Sequence, residues 1–223
     1  MGKKSTLLSR VIGAPYILWA VLFIIVPIGM VAYYAFTDAT GAFTLGNMLE
    51  IGKYTDTFIL SIWLGLLATV ISLVIAYPLA YIIANSGENR QKIMMMLIML
   101  PMWCNLLIRT YALMALLDNG GLLNSLLVSL GLDKVQIVGT NFGVILGMIY
   151  DFLPYMVLPI FTAMTKLDPK FIEASHDLGC TTWQTMTRVI MPLTASGVIS
   201  GVTMVFVPSI STFYISQKLG AGK

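Results

Sequence analysis

The chain has 223 residues, of which 58% are hydrophobic and 10% charged, and its mean hydropathy is +0.88. These values exclude an ordinary soluble domain and, with repeated apolar runs of more than about 18 residues, predict a polytopic helical membrane protein. The formal net charge of +3 is too small to indicate nucleic-acid binding, so we expect no nucleic-acid partner and expect membrane lipid around many apolar side chains.

Five apolar segments predict five membrane-spanning helices in an all-α bundle. Each is near or above the roughly 20 residues that a helix needs to cross the hydrocarbon, whereas a membrane strand needs only about 10. The predicted spans cover residues 14–36, 58–84, 93–117, 141–165 and 192–216. Prolines inside them are compatible with helices because neighbouring helices satisfy the freed carbonyls. The simplest organisation is one transmembrane domain over residues 1–223.

The placement of lysine and arginine predicts the orientation of the spans. On one side lie Lys3, Lys4, Arg10, Arg90, Lys92, Lys166, Lys170 and Arg188, and on the other lie Lys53, Lys134, Lys218 and Lys223. The positive-inside rule therefore predicts that the N-terminus and the connection over residues 166–191 are cytoplasmic. The first apolar run is too long for a signal peptide, so we expect it to be a permanent helix.

Two charged residues lie inside predicted spans, Arg109 in the third and Asp151 in the fourth. They are about 12 and 15 Å from the outer ends of their helices, so they can meet. Charges at such depth usually face a partner or a water-filled path. One interpretation is a structural ion pair. The other is a path for an organic cation, in which Asp151 and Arg109 are joined by three aromatic residues, Trp103, Tyr150 and Tyr155, because carboxylates and aromatic faces attract cations.

The connection over residues 166–191 is polar and predicts two short helices at an angle. Asp168 and Pro169 mark a helix start, Gly179 is placed to end that helix, and Thr181 or Thr182 can cap the second one. The predicted apolar face of the first helix comprises Phe171, Ile172, Ala174, Ser175 and Leu178, and that of the second comprises Trp183, Met186 and Ile190. A simple interfacial connector is possible, but the balanced charge favours a protein partner over anionic lipid.

The same connection carries a recognisable motif. "EASHDLG" at residues 173–179 and "VIMP" at 189–192 resemble the EAA loop of ABC importer permeases, which reads E-A-A, three residues, G, nine residues, I-x-L-P. Glu173, Ala174, Gly179 and Pro192 match directly, while Ser175, Val189 and Met191 replace alanine, isoleucine and leucine. The resemblance implies a type I importer permease fold in which this loop docks on a cytoplasmic ATPase. The implied contact residues are Glu173, Ala174, Ser175, Asp177 and Gly179.

Three longer stretches resemble the permeases of polyamine (spermidine/putrescine) importers. They are "LPMWCNLLIRTYALMALLDNGGLLNSLL", "YDFLPYMVLPIFTAMTKLDPKFIEASHDLG" and "VFVPSISTFYISQKLGAGK". Two short segments, 183–185 and 213–215, are more similar to the first of that importer's two permeases than to the second. The resemblance implies a second permease subunit, two ATPase subunits and an extracytoplasmic binding protein. It also implies six spans, of which five are visible in this sequence, so we expect the sixth, C-terminal span to be missing from it.

Alternative substrates and classes remain open at this stage. Importers of thiamine, ferric iron, sulfate or molybdate share the loop. An ion-coupled secondary transporter would carry inverted repeats with broken helices, and we find none in the sequence. His176 is the one histidine, and the terminal "GAGK" has Gln217 where a phosphate loop needs glycine. We therefore expect no metal site, no cofactor and no catalysis in this chain, with ATP and magnesium bound by the partner ATPase.

Overall fold

The computed structural model describes residues 15–38, 41–47, 51–212, 215 and 219–220. These residues divide between two compact units, Met1–Ile59 and Leu60–Lys223. The regular elements of the described residues are helices, with one isolated bridge between Thr37 and Phe43. The predicted all-α fold is confirmed.

Some predicted features lie outside the described residues. They are Ala14 at the start of the first span, residues 213, 214 and 216 at the end of the fifth, and the basic residues Lys3, Lys4, Arg10, Lys218 and Lys223. The orientation of the chain and the sixth span therefore stay predictions.

In the first unit, helix α1 runs from Pro15 to Ala35, close to the predicted span. Its middle contains a π-turn, Val21–Ile25, where the Val26 N–H donates to the Val21 carbonyl. Pro27 follows directly and has no N–H to donate, which explains a local departure from the α-helical pattern here. No residue from Val21 to Ala35 is buried, as expected for a helix that faces lipid or another subunit.

The remaining helices are α2 (Thr55–Ala84), α3 (Glu88–Met99), α4 (Leu106–Leu117), α5 (Leu122–Ser129), α6 (Asn141–Thr165), α7 (Pro169–Asp177), α8 (Thr182–Leu193) and α9 (Ala195–Ser211). Helix α6 has the predicted bounds of the fourth span, and α2 begins three residues before the predicted second span. By length and apolarity, four helical runs among the described residues could cross a membrane, or five if α8 and α9 count as one bent span.

The core of the second unit is the antiparallel pair α6 and α9. Gly201 of α9 faces Met156 of α6, and Gly197, one turn earlier, faces Pro159 and Ala163, one to two turns later on α6. The absence of a β-carbon at these two glycines lets the helix backbones approach closely, which is a common device in membrane bundles. Both glycines are buried.

Helix α2 also runs antiparallel to α9. Its Gly65 lies against Ile210 and Ser209 near the end of α9, whereas its Tyr77 contacts Thr194 just before α9 begins. Beyond α9 the chain returns to the start of α6, where the Gly139 N–H donates to the Leu219 carbonyl at 2.9 Å. The ends of α2 and α6 and the start of α9 therefore lie at the same end of the unit, beside the loop formed by α7 and α8.

The third span, predicted as one helix over 93–117, is divided. Helix α3 ends at Met99, a 3-10 turn covers Leu100–Trp103, and α4 begins at Leu106. Pro101 lacks an N–H and is disfavoured in a helix interior, and the Asn105 side chain caps the new helix by accepting the Leu107 N–H at 2.8 Å. Since membrane helices often tolerate proline, Asn105 was the stronger signal of the break.

The fifth span also differs from the prediction of 192–216. Pro192 belongs to α8, and α9 begins at Ala195 after a 68° bend. The prediction took Pro192 as the first residue of the span, but this proline lies before the bend.

The close packing of α6 and α9 can be tested with Gly197→Ala. A β-carbon at Gly197 would lie 2.6 Å from the Ala163 β-carbon and 2.7 Å from the Pro159 carbonyl oxygen. We expect this overpacking to cost about 1 to 3 kcal/mol and to lower the thermal unfolding temperature in detergent. The control is Gly29→Ala on α1, where nothing lies within 4 Å of the added carbon. Equal unfolding temperatures for the two variants would contradict the close packing.

Candidate functional site

The loop between α6 and α9 begins with helix α7, whose two ends are fixed by local hydrogen bonds. The Asp168 side chain accepts the Lys170 N–H at 3.0 Å, and Pro169 occupies the first turn. At the other end Gly179 has φ +79°, its N–H donates to the His176 carbonyl, and the Cys180 N–H donates to the Ser175 carbonyl. This is a Schellman ending with glycine in the left-handed region, so both predicted ends of the helix are confirmed.

Helix α8 follows α7 after four residues and begins with a capping box. The Gln184 N–H donates to the Thr181 Oγ1 at 3.3 Å, and the Thr181 N–H donates to the Gln184 Oε1 at 2.9 Å. Of the two threonines considered as caps, Thr181 is the one used. Two reciprocal bonds at the start of α8 and two at the end of α7 leave little freedom in the turn between them.

Helices α7 and α8 are joined by a buried hydrogen bond between Ser175 Oγ and Thr185 Oγ1, 2.9 Å apart. The Ser175 hydroxyl also donates to the Ile172 carbonyl at 2.7 Å, so Thr185 supplies the proton between the two side chains. Ser175 therefore holds the loop together from inside. Among the residues predicted to contact an ATPase, the structure exposes Glu173, Ala174, Asp177 and Gly179 and buries Ser175.

The predicted apolar faces of the loop helices are only partly directed inward. Ile172 is half-buried and Ile190 is buried, as predicted, but Phe171 is exposed and the exposed fractions of Leu178 and Trp183 are 85% and 73%. Spacing alone does not tell which side of a short helix meets the bundle. We define the outer loop surface as the exposed residues Phe171, Glu173, Ala174, Asp177, Leu178, Gly179 and Trp183. Exposed apolar groups clustered beside charged ones indicate a protein contact.

The two charged residues of the spans meet, as the sequence suggested. Arg109 Nε lies 2.6 Å from Asp151 Oδ1, and the side chains are 5% and 0% exposed. The contact is a close, buried ion pair. The other carboxylate oxygen, Asp151 Oδ2, accepts the Thr110 hydroxyl at 3.0 Å.

Arg109 also forms a hydrogen bond to the break in the third segment. Its Nη1 donates to the Pro101 carbonyl at 3.0 Å, a carbonyl in the 3-10 turn between α3 and α4. One guanidinium thus ties the turn and α4 to Asp151 on α6. The bond from Arg109 to Pro101 was not predicted from sequence, because it depends on where the helix breaks.

The three aromatic residues predicted for the cation path do not share the buried position of Asp151. The exposed fraction of Trp103 is 82%, and Tyr150 and Tyr155 also lie on the surface of the described chain. The Tyr155 ring lies 6.3 Å from the Phe152 ring. The structure brings Arg109 and Asp151 together and leaves Trp103, Tyr150 and Tyr155 exposed, so a shared path remains a prediction.

Comparison with known proteins shows which family and which fold this chain resembles. Residues 76–223 match the family described as "Binding-protein-dependent transport system inner membrane component". The crystal structure of a bacterial ABC transporter involved in the import of the acidic polysaccharide alginate has the same fold, with a TM-score of 0.72 at 19% identity, covering 98% of this chain and 80% of that one.

Curated relatives give the same family. The "Spermidine/putrescine transport system permease protein PotB" of Haemophilus influenzae is 34% identical over 215 residues, 92% of this chain and 75% of the relative. PotB of Escherichia coli K12 is 35% identical over 215 residues, 92% of this chain and 78% of the relative. The "Inner membrane ABC transporter permease protein YdcU" of E. coli K12 is 29% identical over 209 residues, 84% and 66% of the two chains.

The chain therefore belongs to the family of inner membrane permease components of binding-protein-dependent ABC importers. The resemblance drawn from the EAA loop is confirmed at the level of the family, and the protein is a multi-pass protein of the inner membrane.

The turn between α7 and α8 can be tested with Gly179→Val. At φ +79° a β-branched residue is strained by about 1 kcal/mol or more, although no atom lies within 4 Å to obstruct it. We expect the loop to open more often, so that limited trypsin digestion at the exposed Arg188 is several-fold faster. Gly87→Val is the control, because Gly87 is equally open but has φ −62°. Equal digestion rates would contradict the strained turn.

The ion pair can be tested with Arg109→Gln, Asp151→Asn and the double variant. If the pair is structural, each single change leaves a buried charge uncompensated, and we expect a loss of roughly 3 to 5 kcal/mol in stability. The double variant should recover much of the folded yield, measured by size-exclusion chromatography in detergent. Glu88→Gln is the control, because it breaks the exposed pair with Lys92 and should cost under about 1 kcal/mol. Normal yield in both single variants would contradict a structural pair.

Proposed function

We propose that the chain is a permease subunit of an ATP-driven polyamine importer, which moves spermidine or putrescine by alternating access. Two curated relatives that carry the name of a spermidine/putrescine permease are 34% and 35% identical to it over 92% of its length. That similarity extends over the loop, the ion pair and the two glycines of α9. The chain itself performs no catalysis, and ATP with magnesium is bound and hydrolysed by a partner subunit.

The observation that carries the mechanism is the outer loop surface. Leu178 and Trp183 expose large apolar groups on either side of the Gly179 turn, and Glu173 and Asp177 place negative charges beside them. We propose that this surface docks on an ATPase subunit, with the apolar side chains in a groove and the carboxylates toward basic or polar groups. The Schellman ending, the capping box and the Ser175–Thr185 bond make the loop stiff enough to pass on a movement.

The proposed complex contains a second permease, two ATPase subunits and an extracytoplasmic binding protein. With the loop on the ATPase side, the N-terminus is cytoplasmic, as the distribution of basic residues predicts. The binding protein would deliver the polyamine on the opposite side. Closure of the ATPases would move the loop and, through α8 and α9, the helices that surround the path.

We place the cation path beside the Arg109–Asp151 pair. In the described arrangement Arg109 neutralises Asp151, so Asp151 could contact a polyamine amine only where the pair separates. Trp103 lies two residues from Pro101, whose carbonyl Arg109 holds, so opening of the pair would also release the turn that carries Trp103. Exposed Tyr150 and Tyr155 would offer aromatic faces to the same cation.

Glu173→Lys tests the docking role. A reversed charge at a protein contact should weaken it, and we expect ATP-driven polyamine uptake by the reconstituted complex to fall at least tenfold, while docking of the binding protein on the other side is retained. Glu88→Lys is the matched control, since Glu88 is also an exposed acid in a connection on the same side of the predicted topology. Uptake near the wild-type rate in Glu173→Lys would contradict the docking role and would indicate that the loop is a simple connector.

A further inference from the structure

The joint between α8 and α9 is a buried, fully hydrogen-bonded bend. The two helices meet at 68°, and Thr194 between them is 0% exposed. Its N–H donates to the Ile190 carbonyl, its hydroxyl donates to the same carbonyl at 2.8 Å, and its own carbonyl accepts the N–H groups of Gly197 and Val198. None of these backbone groups of Thr194 is left unpaired, so the bend is formed without an unsatisfied polar group at this residue.

One side chain from another helix reaches this bend. The Tyr77 hydroxyl of α2 lies 3.0 Å from the Thr194 Oγ1, and both residues are buried. The single hydroxyl proton of Thr194 is committed to the Ile190 carbonyl, so Tyr77 is the donor between the two side chains. The bond joins two residues 117 positions apart.

Helix α2 has its own weak point beside this contact. Pro78 follows Tyr77 inside the helix and has no N–H for the Val74 carbonyl one turn earlier. A proline inside a helix is a common site of a kink, and Pro78 is therefore named the pivot of α2. It lies next to the contact with the bend at Thr194, and the hydroxyl of Tyr77 connects the two.

We infer that Tyr77 is a positioning residue of the transport cycle, which ties the bend at Thr194 to the pivot at Pro78. When the loop of α7 and α8 moves, α8 changes its angle to α9, and the bond makes α2 follow. This inference rests on the proposed function, because it assumes that movement begins at the loop. According to this inference α2 also transmits the movement of the loop, a role that the loop motif alone does not predict.

The bond can be removed without leaving a buried donor unpaired. Tyr77→Phe deletes only the donating hydroxyl, and the Thr194 hydroxyl keeps its bond to the Ile190 carbonyl. Thr194→Ser retains the acceptor, whereas Thr194→Val removes it and leaves the Tyr77 hydroxyl buried without this partner. Tyr81→Phe is the matched control, since it removes a hydroxyl one turn further along the same helix.

The first experiment measures polyamine uptake per ATP hydrolysed in the reconstituted complex. We expect Tyr77→Phe to retain assembly and ATPase activity but to lower uptake per ATP by about three- to tenfold, the range that corresponds to one hydrogen bond. Thr194→Val should lose at least as much uptake per ATP, because it also leaves the Tyr77 hydroxyl unpaired, and Thr194→Ser and Tyr81→Phe should match the wild type. An unchanged ratio in Tyr77→Phe would overturn the inference. A parallel fall in assembly, ATPase and uptake would overturn it too, because it would indicate support of the fold alone.

The second experiment does not depend on the identity of the substrate. Spin labels at Arg188 and Thr203, both exposed, lie on either side of the bend, in a background with Cys104 and Cys180 replaced by serine. In the assembled complex we expect a narrow distance distribution for wild type and Tyr81→Phe and a broader one for Tyr77→Phe. Equal widths would overturn the inference. Normal uptake by Glu173→Lys would instead count against the proposed loop docking, so the two failures are distinguishable.

Discussion

The close approach of α6 and α9 is the constraint on which the second unit depends. In a membrane the hydrophobic effect contributes little to helix association, so close packing decides which helices associate. Gly197 and Gly201 allow the backbones of α6 and α9 to come close together, since a β-carbon at Gly197 would overlap the backbone of α6. The position of α9 then determines where the bend at Thr194 lies, and the bend determines how the loop of α7 and α8 emerges from the bundle.

Two interruptions among the described helices of this unit are each contacted by a polar side chain. The Pro101 carbonyl accepts a hydrogen bond from Arg109, and the bend at Thr194 receives the Tyr77 hydroxyl. Water is absent from the hydrocarbon region, so an interruption needs a partner from within the protein. Arg109 also meets Asp151 on α6, and Tyr77 belongs to α2, so each interrupted segment is tied by a side chain to a particular neighbouring helix.

The sequence predicted the helical class, the bounds of α6 and both ends of α7, because these rest on local signals such as apolar length, an N-cap acid and a glycine after the last turn. It did not predict the division of the third span, since proline is common inside membrane helices and the Asn105 cap was not weighed. The Arg109–Asp151 contact followed from depth alone. The Arg109–Pro101 and Tyr77–Thr194 bonds could not be predicted, because they depend on the angle between helices that are far apart in sequence.

The return of the chain from α9 to the start of α6 has a consequence for the order of folding. Leu219 is fully buried, packs beside Gly147 and accepts the Gly139 N–H, so the first turns of α6 obtain part of their packing from a residue made about 75 positions later. During synthesis α6 is therefore made before the residue that packs against Gly147. That packing is completed late, and it joins the first turns of α6 to the segment that follows α9.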